Sequence, residues 1–165
     1  MSQDAQTTYR YRFRLGQLVN FGIGAGFLYI AIILIRLPFD IEKFGWILVT
    51  IFITIGVIPL GLCIQYWIRS FGLRMIIDES SKTIEVINNG RNETFKFNDL
   101  LTIEICEQES IGRLGLDFSF AKYSFDNDKT IVITAFMTNS YFIPEGIKPR
   151  FYEEFIPVIW SKNKL

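Results

Sequence analysis

The chain contains no histidine and only two cysteines. Histidine is the commonest metal ligand and the side chain best suited to acid–base catalysis near neutral pH, so its absence removes the usual basis for both. Cys63 lies in an apolar run and Cys106 in a strand-like run, and a lone thiol in either place cannot build a zinc site. We therefore expect a protein that is not an enzyme and that holds neither a metal nor another cofactor.

Charged residues are missing from two long stretches, Leu18–Ile35 and Phe44–Ile68. Helices of these lengths span roughly 27 and 37 Å, against about 30 Å for the hydrocarbon core of a bilayer. A second span directly after the first argues against a removable signal peptide. The sequence predicts a transmembrane hairpin over residues 16–69, between an N-terminal strand-like segment (1–15) and a cytoplasmic β domain (70–165).

Basic residues around the spans predict which side of the membrane the termini occupy. Two lie in the loop between the spans, Arg36 and Lys43, and five lie on the terminal sides: Arg10, Arg12, Arg14, Arg69 and Arg74. Because cytoplasmic loops carry the excess of such residues, both termini are expected in the cytoplasm.

A glycine face on the first span predicts a close helix contact. Gly22 and Gly26 have the spacing that lets two helices approach closely. Two partners are open for this face: a second copy of the chain, giving a homodimer, or the second helix of the same hairpin near Gly56.

The hydrophobic period changes to two after the spans, as in β-strands with one wet face. Asn88-Asn89-Gly90 predicts a tight hairpin turn, since asparagine and glycine tolerate positive φ. Six or seven short antiparallel strands are predicted, from the stretches Met75–Asp78, Thr83–Ile87, Glu93–Phe97, Leu101–Glu107, Leu116–Phe125, Thr130–Met137 and Tyr141–Ile143. Helical spacing of apolar residues over Pro149–Trp160, with proline at the first position, then predicts a C-terminal amphipathic helix.

Two short stretches carry a resemblance to a known family. These are Phe97-Asn98-Asp99-Leu100-Leu101-Thr102-Ile103-Glu104, and Tyr141-Phe142-Ile143-Pro144 ahead of the terminal segment. Together with the order of elements they resemble bacterial pleckstrin-homology-like domains, and more closely the small YcxB-like membrane proteins. The resemblance implies an α+β membrane protein: a two-helix transmembrane hairpin, then a small antiparallel β-rich PH-like domain with a C-terminal helix. It implies the bacterial cytoplasmic (inner) membrane and no particular reaction.

Arginines and aromatic residues alternate strictly from Tyr9 to Arg14. An extended segment would place three aromatic rings on one face and Arg10, Arg12 and Arg14 on the other. Two interpretations are open. The segment is either a surface for phosphate groups or a partner peptide, or a strand of the cytoplasmic sheet whose arginines face lipid headgroups.

A second candidate surface consists of aromatic residues among polar ones, because aromatic residues are enriched at binding hot spots. Its members are Tyr123, Phe125, Tyr141 and Tyr152. The alternative is that these rings fill the core of the β domain.

The charge of the soluble half limits its partners. From Arg69 onward there are twelve basic and fourteen acidic residues, a net charge of −2, which argues against nucleic acid. The preferred hypothesis is a non-enzymatic, membrane-anchored module that binds another protein, in a specific version an immunity or regulatory protein. The alternative is a lipid- or envelope-sensing module at the cytoplasmic membrane surface.

Overall fold

The computed structural model describes residues 6–12, 15–36, 43–108, 118–138, 140–154, 156–160 and 163. The elements follow one another along the chain as β1 (Gln6–Arg10), α1 (Leu15–Arg36), α2 (Lys43–Ser70), β2 (Leu73–Asp78), β3 (Thr83–Asn88), β4 (Arg91–Lys96), a 3-10 turn (Phe97–Asp99), β5 (Leu100–Gln108), β6 (Phe120–Phe125), β7 (Thr130–Thr134) and β8 (Arg150–Glu154). The described residues form two compact units. One contains α1 and α2 up to Gln65, and the other contains β1 and the residues from Tyr66 onward.

Helices α1 and α2 are long and apolar enough to cross a membrane, over Gln17–Arg36 and Gly45–Ser70. Most of their side chains are exposed in the isolated chain. The two helices approach each other at Gly24, where an added Cβ would lie 2.9 Å from the carbonyl oxygen of Gly56. The second helix of the hairpin is therefore received at Gly24, near Gly56 as one of the two alternatives expected, but not at Gly22 and Gly26, which have open space around them.

The strands form two four-stranded sheets. Sheet A has the order β1-β2-β3-β4 and is antiparallel throughout. Sheet B has the order β7-β6-β5-β8, in which β8 is parallel to β5 and the other pairs are antiparallel. One hydrophobic core contains side chains of both sheets: Met75, Ile77, Ile84, Val86 and Phe95 from sheet A, and Ile103, Ile105, Ala121, Tyr123, Phe125, Ile131 and Ile133 from sheet B.

Sheet B is also covered on its other face. Cys106, Phe120 and Thr134 lie in one row across β5, β6 and β7, and all three are buried outside the shared core. The Tyr66 ring, from the end of α2, packs edge-on against Phe120 with ring centroids 6.5 Å apart. Ser70 hydrogen-bonds to Thr134 through the two hydroxyl groups. The end of α2 therefore supplies part of the second cover of sheet B.

The α+β architecture predicted from the sequence is confirmed, since two apolar helices precede a sheet domain that is mostly antiparallel. The predicted N-terminal strand is observed, but it is shifted to Gln6–Arg10 and pairs with β2. Phe13 and Arg14 lie outside the described residues. The Asn89-Gly90 turn has φ values of 50° and 84°, as the hairpin signal required.

The predicted C-terminal helix is wrong. Arg150–Glu154 forms β8, and residues 156–160 are not helical. Pro157 lacks a backbone N–H and would have interrupted the helix. As a strand, the segment instead pairs with the edge of β5, whose backbone groups would otherwise lack a strand partner on that side.

The predicted strand over Tyr141–Ile143 is also wrong, because this segment is irregular. Two hydrogen bonds join it to side chains of the sheet domain. The Tyr123 hydroxyl donates to the Phe142 carbonyl at 3.0 Å, and the hydroxyls of Tyr141 and Ser119 are 2.9 Å apart. Pro144, which has no N–H to donate to a ladder, follows directly.

Candidate binding site

A cleft opens where β2 turns into β3, at one end of sheet A. Its volume is about 350 Å³. The two half-buried aromatic side chains form its floor and exposed side chains, most of them charged or polar, form its rim. The lining residues are Glu79, Lys82, Phe97, Asn98, Phe142, Ile143 and Glu145. A cleft of this size and mixed character accommodates one or two side chains of a peptide or a small ligand.

The first wall of the cleft is the turn after Asp78. The Asp78 carboxylate accepts hydrogen bonds from the backbone N–H groups of Ser80 at 2.9 Å and Ser81 at 3.2 Å. Hydrogen bonds from Ser80 and Ser81 lower the Asp78 pKa to about 2, because they stabilise the ionised carboxylate. Lys82 then takes a φ of 55°, which closes the turn and leads into β3.

The second wall is the 3-10 turn, which the first wall holds in place. The Phe97 N–H donates to the Lys82 carbonyl at 2.9 Å, so the two turns are joined directly. The Asp99 carboxylate accepts from the Lys96 N–H at 3.0 Å and fixes the start of the 3-10 turn. These bonds place the Phe97 ring at the floor of the cleft.

The third wall is the irregular segment around Phe142. The rings of Phe97 and Phe142 lie 5.5 Å apart at an angle of 49°. The Phe142 carbonyl accepts a hydrogen bond from the hydroxyl of the buried Tyr123. Burial, and then the charge of Glu79, raise the pKa of Tyr9, while a backbone hydrogen bond at Phe142 acts in the opposite direction. The hydroxyl of Tyr123, from sheet B, thus braces this wall.

The chemistry of the cleft favours a basic group. Glu79 and Glu145 place two carboxylates on the rim, against the single ammonium of Lys82. The faces of two phenylalanine rings attract a cation that is partly removed from water, by about 0.5–2 kcal/mol. Among the described residues no three metal-ligating side chains come together. The arrangement suits binding of a lysine or arginine side chain with an apolar neighbour.

A different charge pattern lies at the opposite end of sheet A. Arg10 and Arg74 are directly opposite each other in the last pair of the β1–β2 ladder, and both are exposed. Like charges in this position repel. Within the part of the chain that the structure describes, neither guanidinium forms a salt bridge. Arg91 lies in the next row of the sheet.

The residues predicted as an interaction site are spread over the molecule. Arg10 and Arg12 are exposed, and Arg14 lies outside the described residues. Tyr123 and Phe125 are almost fully buried in the core, so their assignment to a surface is wrong. Their alternation with Lys122 and Ser124, which are partly exposed, places both rings toward sheet A.

Tyr141 and Tyr152, the other two predicted aromatic residues, lie nearer the surface. Tyr141 is partly buried and bonds to Ser119, beside the third wall of the cleft. Tyr152 is 37 % exposed on β8, edge-on to Phe120. Burial, and then the charge of Glu154, raise the pKa of Cys106 to about 12. An uncharged buried thiol of this kind is a poor nucleophile.

Sequence reasoning missed the cleft itself. Phe97 and Phe142 stand within the two stretches that carry the family resemblance, but their adjacency is not visible in the sequence. They are far apart along the chain, and neither stretch has a periodicity that points to the other. The adjacency arises because Lys82 holds one turn and Tyr123 holds the other segment.

These features define an α+β domain of two sheets, with a pair of long apolar helices inserted between its first two strands. A family model described as a PH domain matches residues 4–143. This range contains β1, both helices and the strands through β7, and the chain therefore belongs to the PH domain family. No curated protein and no solved structure matches the chain.

Proposed function

We propose that this protein is a non-enzymatic, membrane-anchored PH-domain module that binds a segment of a partner protein in the cleft. The observation that carries this proposal is the cleft between Glu79, Phe97 and Phe142, which has an aromatic floor and a rim with two carboxylates. Hydrogen bonds brace all three walls, so little ordering is required when a partner binds. The segment we expect carries a lysine or arginine next to an apolar residue.

The anchor in this proposal is the α1–α2 pair, inserted as two spans. Pairing of β1 with β2 supports both ends of the pair being on one side of the membrane, since strands before and after the spans share one sheet. The surplus of arginine on the terminal sides supports the cytoplasmic side. The finer assignment is a small YcxB-like protein of the bacterial cytoplasmic membrane, acting as an immunity or regulatory protein.

Peptide selection on the full chain in lipid nanodiscs tests the cleft. Displayed random peptides that bind should be enriched in lysine or arginine beside an apolar residue. The double variant Glu79→Gln with Glu145→Gln should weaken the best peptide about tenfold, because the cation loses both carboxylates. Thr94→Ala, exposed on the outer face of sheet A, is the matched control and should bind normally. Equal binding by the double variant contradicts the proposal.

A pair of reporter fusions tests the orientation. A reporter that works only in the cytoplasm, fused after Leu165, is expected to be active, and one that works only outside the cytoplasm is expected to be inactive. The opposite pattern contradicts the cytoplasmic placement of the domain.

The Arg10–Arg74 pair favours a second candidate function, recognition of anionic lipid headgroups. A phosphate between the two guanidinium groups would relieve their repulsion. Arg74→Gln separates this function from a purely structural role. In nanodiscs of phosphatidylcholine the variant should be at least as stable as the wild type, and in phosphatidylglycerol it should be less stable. If Arg74→Gln changes the stability in the same direction in both lipids, this result argues against headgroup binding.

A further inference from the structure

The segment after β8 is pinned to the sheet domain at two points. The Pro157 carbonyl accepts a hydrogen bond from the Tyr66 hydroxyl at 3.1 Å, and Pro157 and Ile159 are both buried. Further on, the Asn163 side chain accepts from the Val132 N–H at 2.8 Å, at the edge of β7. Trp160 lies between these anchors with 85 % of its surface exposed. A large apolar ring is therefore exposed on a segment that is held by hydrogen bonds on both sides of it.

The hydrogen bond between Tyr66 and Pro157 ties the segment to the last turns of α2. Tyr66 lies four residues before the end of the helix at Ser70, a distance of roughly 6 Å. Trp160 is three positions after Pro157, so their Cα atoms are at most about 11 Å apart. With the Tyr66 side chain and its hydrogen bond added, the Trp160 Cα lies within roughly 23 Å of the Tyr66 Cα.

The last turns of α2 extend beyond what a bilayer core requires. The helix has 28 residues and is roughly 42 Å long, about 12 Å more than the hydrocarbon thickness. Trp67 and Phe71 are exposed near its end, at 46 % and 59 %, with ring centroids 5.3 Å apart. Aromatic residues at this position are typical of the membrane–water interface.

We propose that Trp160 inserts into the membrane interface beside Trp67 and Phe71, so that the C-terminal segment forms a second contact with the lipid. The occupant of this surface is the interfacial layer of the bilayer, which continues from the apolar surface of α2. An indole ring suits that layer because its body is apolar and its N–H is polar. The inference rests on the membrane anchor of the proposed function.

The charge of the segment decides which lipids take part. Two acidic residues, Glu153 and Glu154, precede it, and two basic residues, Lys162 and Lys164, follow Trp160. These charges balance, so net attraction to anionic headgroups does not drive this contact. The insertion should occur fully in zwitterionic phosphatidylcholine. This property distinguishes it from the Arg10–Arg74 pair, whose effect depends on anionic lipid.

Single-tryptophan proteins test the proposal, because the chain has only three tryptophans. Phenylalanine replaces two at a time in the full chain, leaving Trp46 or Trp160, and the proteins are reconstituted in phosphatidylcholine vesicles. Lipids with a quencher near the headgroup should reduce Trp160 emission about twofold more than lipids with a quencher near the acyl-chain end, and aqueous iodide should have little effect. Trp46 reports independently on whether the helices are inserted.

The outcomes separate the two proposals. If lipid quenches Trp46 while iodide alone quenches Trp160, this inference is overturned and the anchor stands. If lipid quenches neither, the anchor is overturned, and this inference with it. A second measurement avoids the phenylalanine replacements: the full chain is labelled with 5-fluorotryptophan, and Trp160→Phe assigns its fluorine signal. Paramagnetic lipid should broaden that signal, and broadening only by a soluble paramagnet overturns the inference.

Discussion

The two sheets are equal in size but differ in how they are covered. Along β2 of sheet A, buried residues alternate with more exposed ones, so only the face toward the core is covered. Along β7 of sheet B, four consecutive residues from Ile131 to Thr134 are buried, so both faces are covered. Substitutions on the outer face of sheet A should therefore be tolerated, whereas both faces of sheet B resist change. The cleft and the arginine pair both lie at ends of sheet A, the less constrained sheet.

The largest effect is expected for Tyr123→Ala in sheet B. The ring is fully buried and its hydroxyl holds Phe142, so we expect a loss of about 3–5 kcal/mol in the free energy of unfolding. Tyr123→Phe keeps the ring and should lose about 1 kcal/mol. Denaturant titration of the detergent-solubilised protein, followed by circular dichroism, measures both. An alanine variant as stable as the phenylalanine variant would place the ring outside the core.

Tyr9→Asp should have the next largest effect, because it tests the strand that completes sheet A. Tyr9 is only 7 % exposed, and a carboxylate there loses burial and lacks a partner, at a cost of about 2–4 kcal/mol. Thr8→Asp adds the same charge to the outer face of the same strand and should cost much less. Thermal unfolding of both variants checks this. Equal losses would mean that β1 does not cover the core.

Two alanine substitutions compare the outer faces directly. Val132→Ala on sheet B removes two methyl groups from a fully buried site and should cost about 2 kcal/mol. Ile76→Ala removes more atoms from the outer face of sheet A, but its site is only partly buried, so the expected loss is about 1 kcal/mol. Chemical denaturation measures the order of the two values. A larger loss for Ile76→Ala than for Val132→Ala would mean that the outer face of sheet B is not the better covered one.

The smallest effect is expected from Asp78→Asn, at the exposed turn beside the cleft. The folded protein holds the pKa of Asp78 at about 2, below its usual 3.8. Its contribution to stability is therefore present above the usual value and is lost as the pH falls from about 4 to 2. The difference in melting temperature between wild type and variant should shrink over this interval. If the difference in melting temperature stays constant over this interval, the hydrogen bonds from Ser80 and Ser81 to the Asp78 carboxylate are not its cause.

The elements that local chemistry determines were predictable from the sequence. The turn at Asn89-Gly90 needs positive φ, which few other residues adopt easily. The alternation in β5 indicated a strand, and the length and apolarity of α1 and α2 indicated helices. In each case a few neighbouring residues contain the whole signal.

The elements that depend on distant partners were not predictable. Residues 150–154 have helical spacing, but pairing with β5 makes them a strand. The spacing of Tyr123 fits a surface strand as well as a buried one, and only the packing of sheet A against this face of sheet B decides between them. The cleft combines turns and an irregular segment from separate parts of the chain, so no single stretch contains its signal.

The insertion of the helix pair between β1 and β2 sets an order for synthesis. Arg10 pairs with Arg74, which the ribosome adds sixty-four positions later. At about 5–20 residues per second, β1 waits roughly 3–13 s for its partner strand. During that time both helices are made, and they contact each other closely at Gly24 and Gly56. Sheet A therefore cannot be completed before both helices have been synthesised, although they belong to the other compact unit.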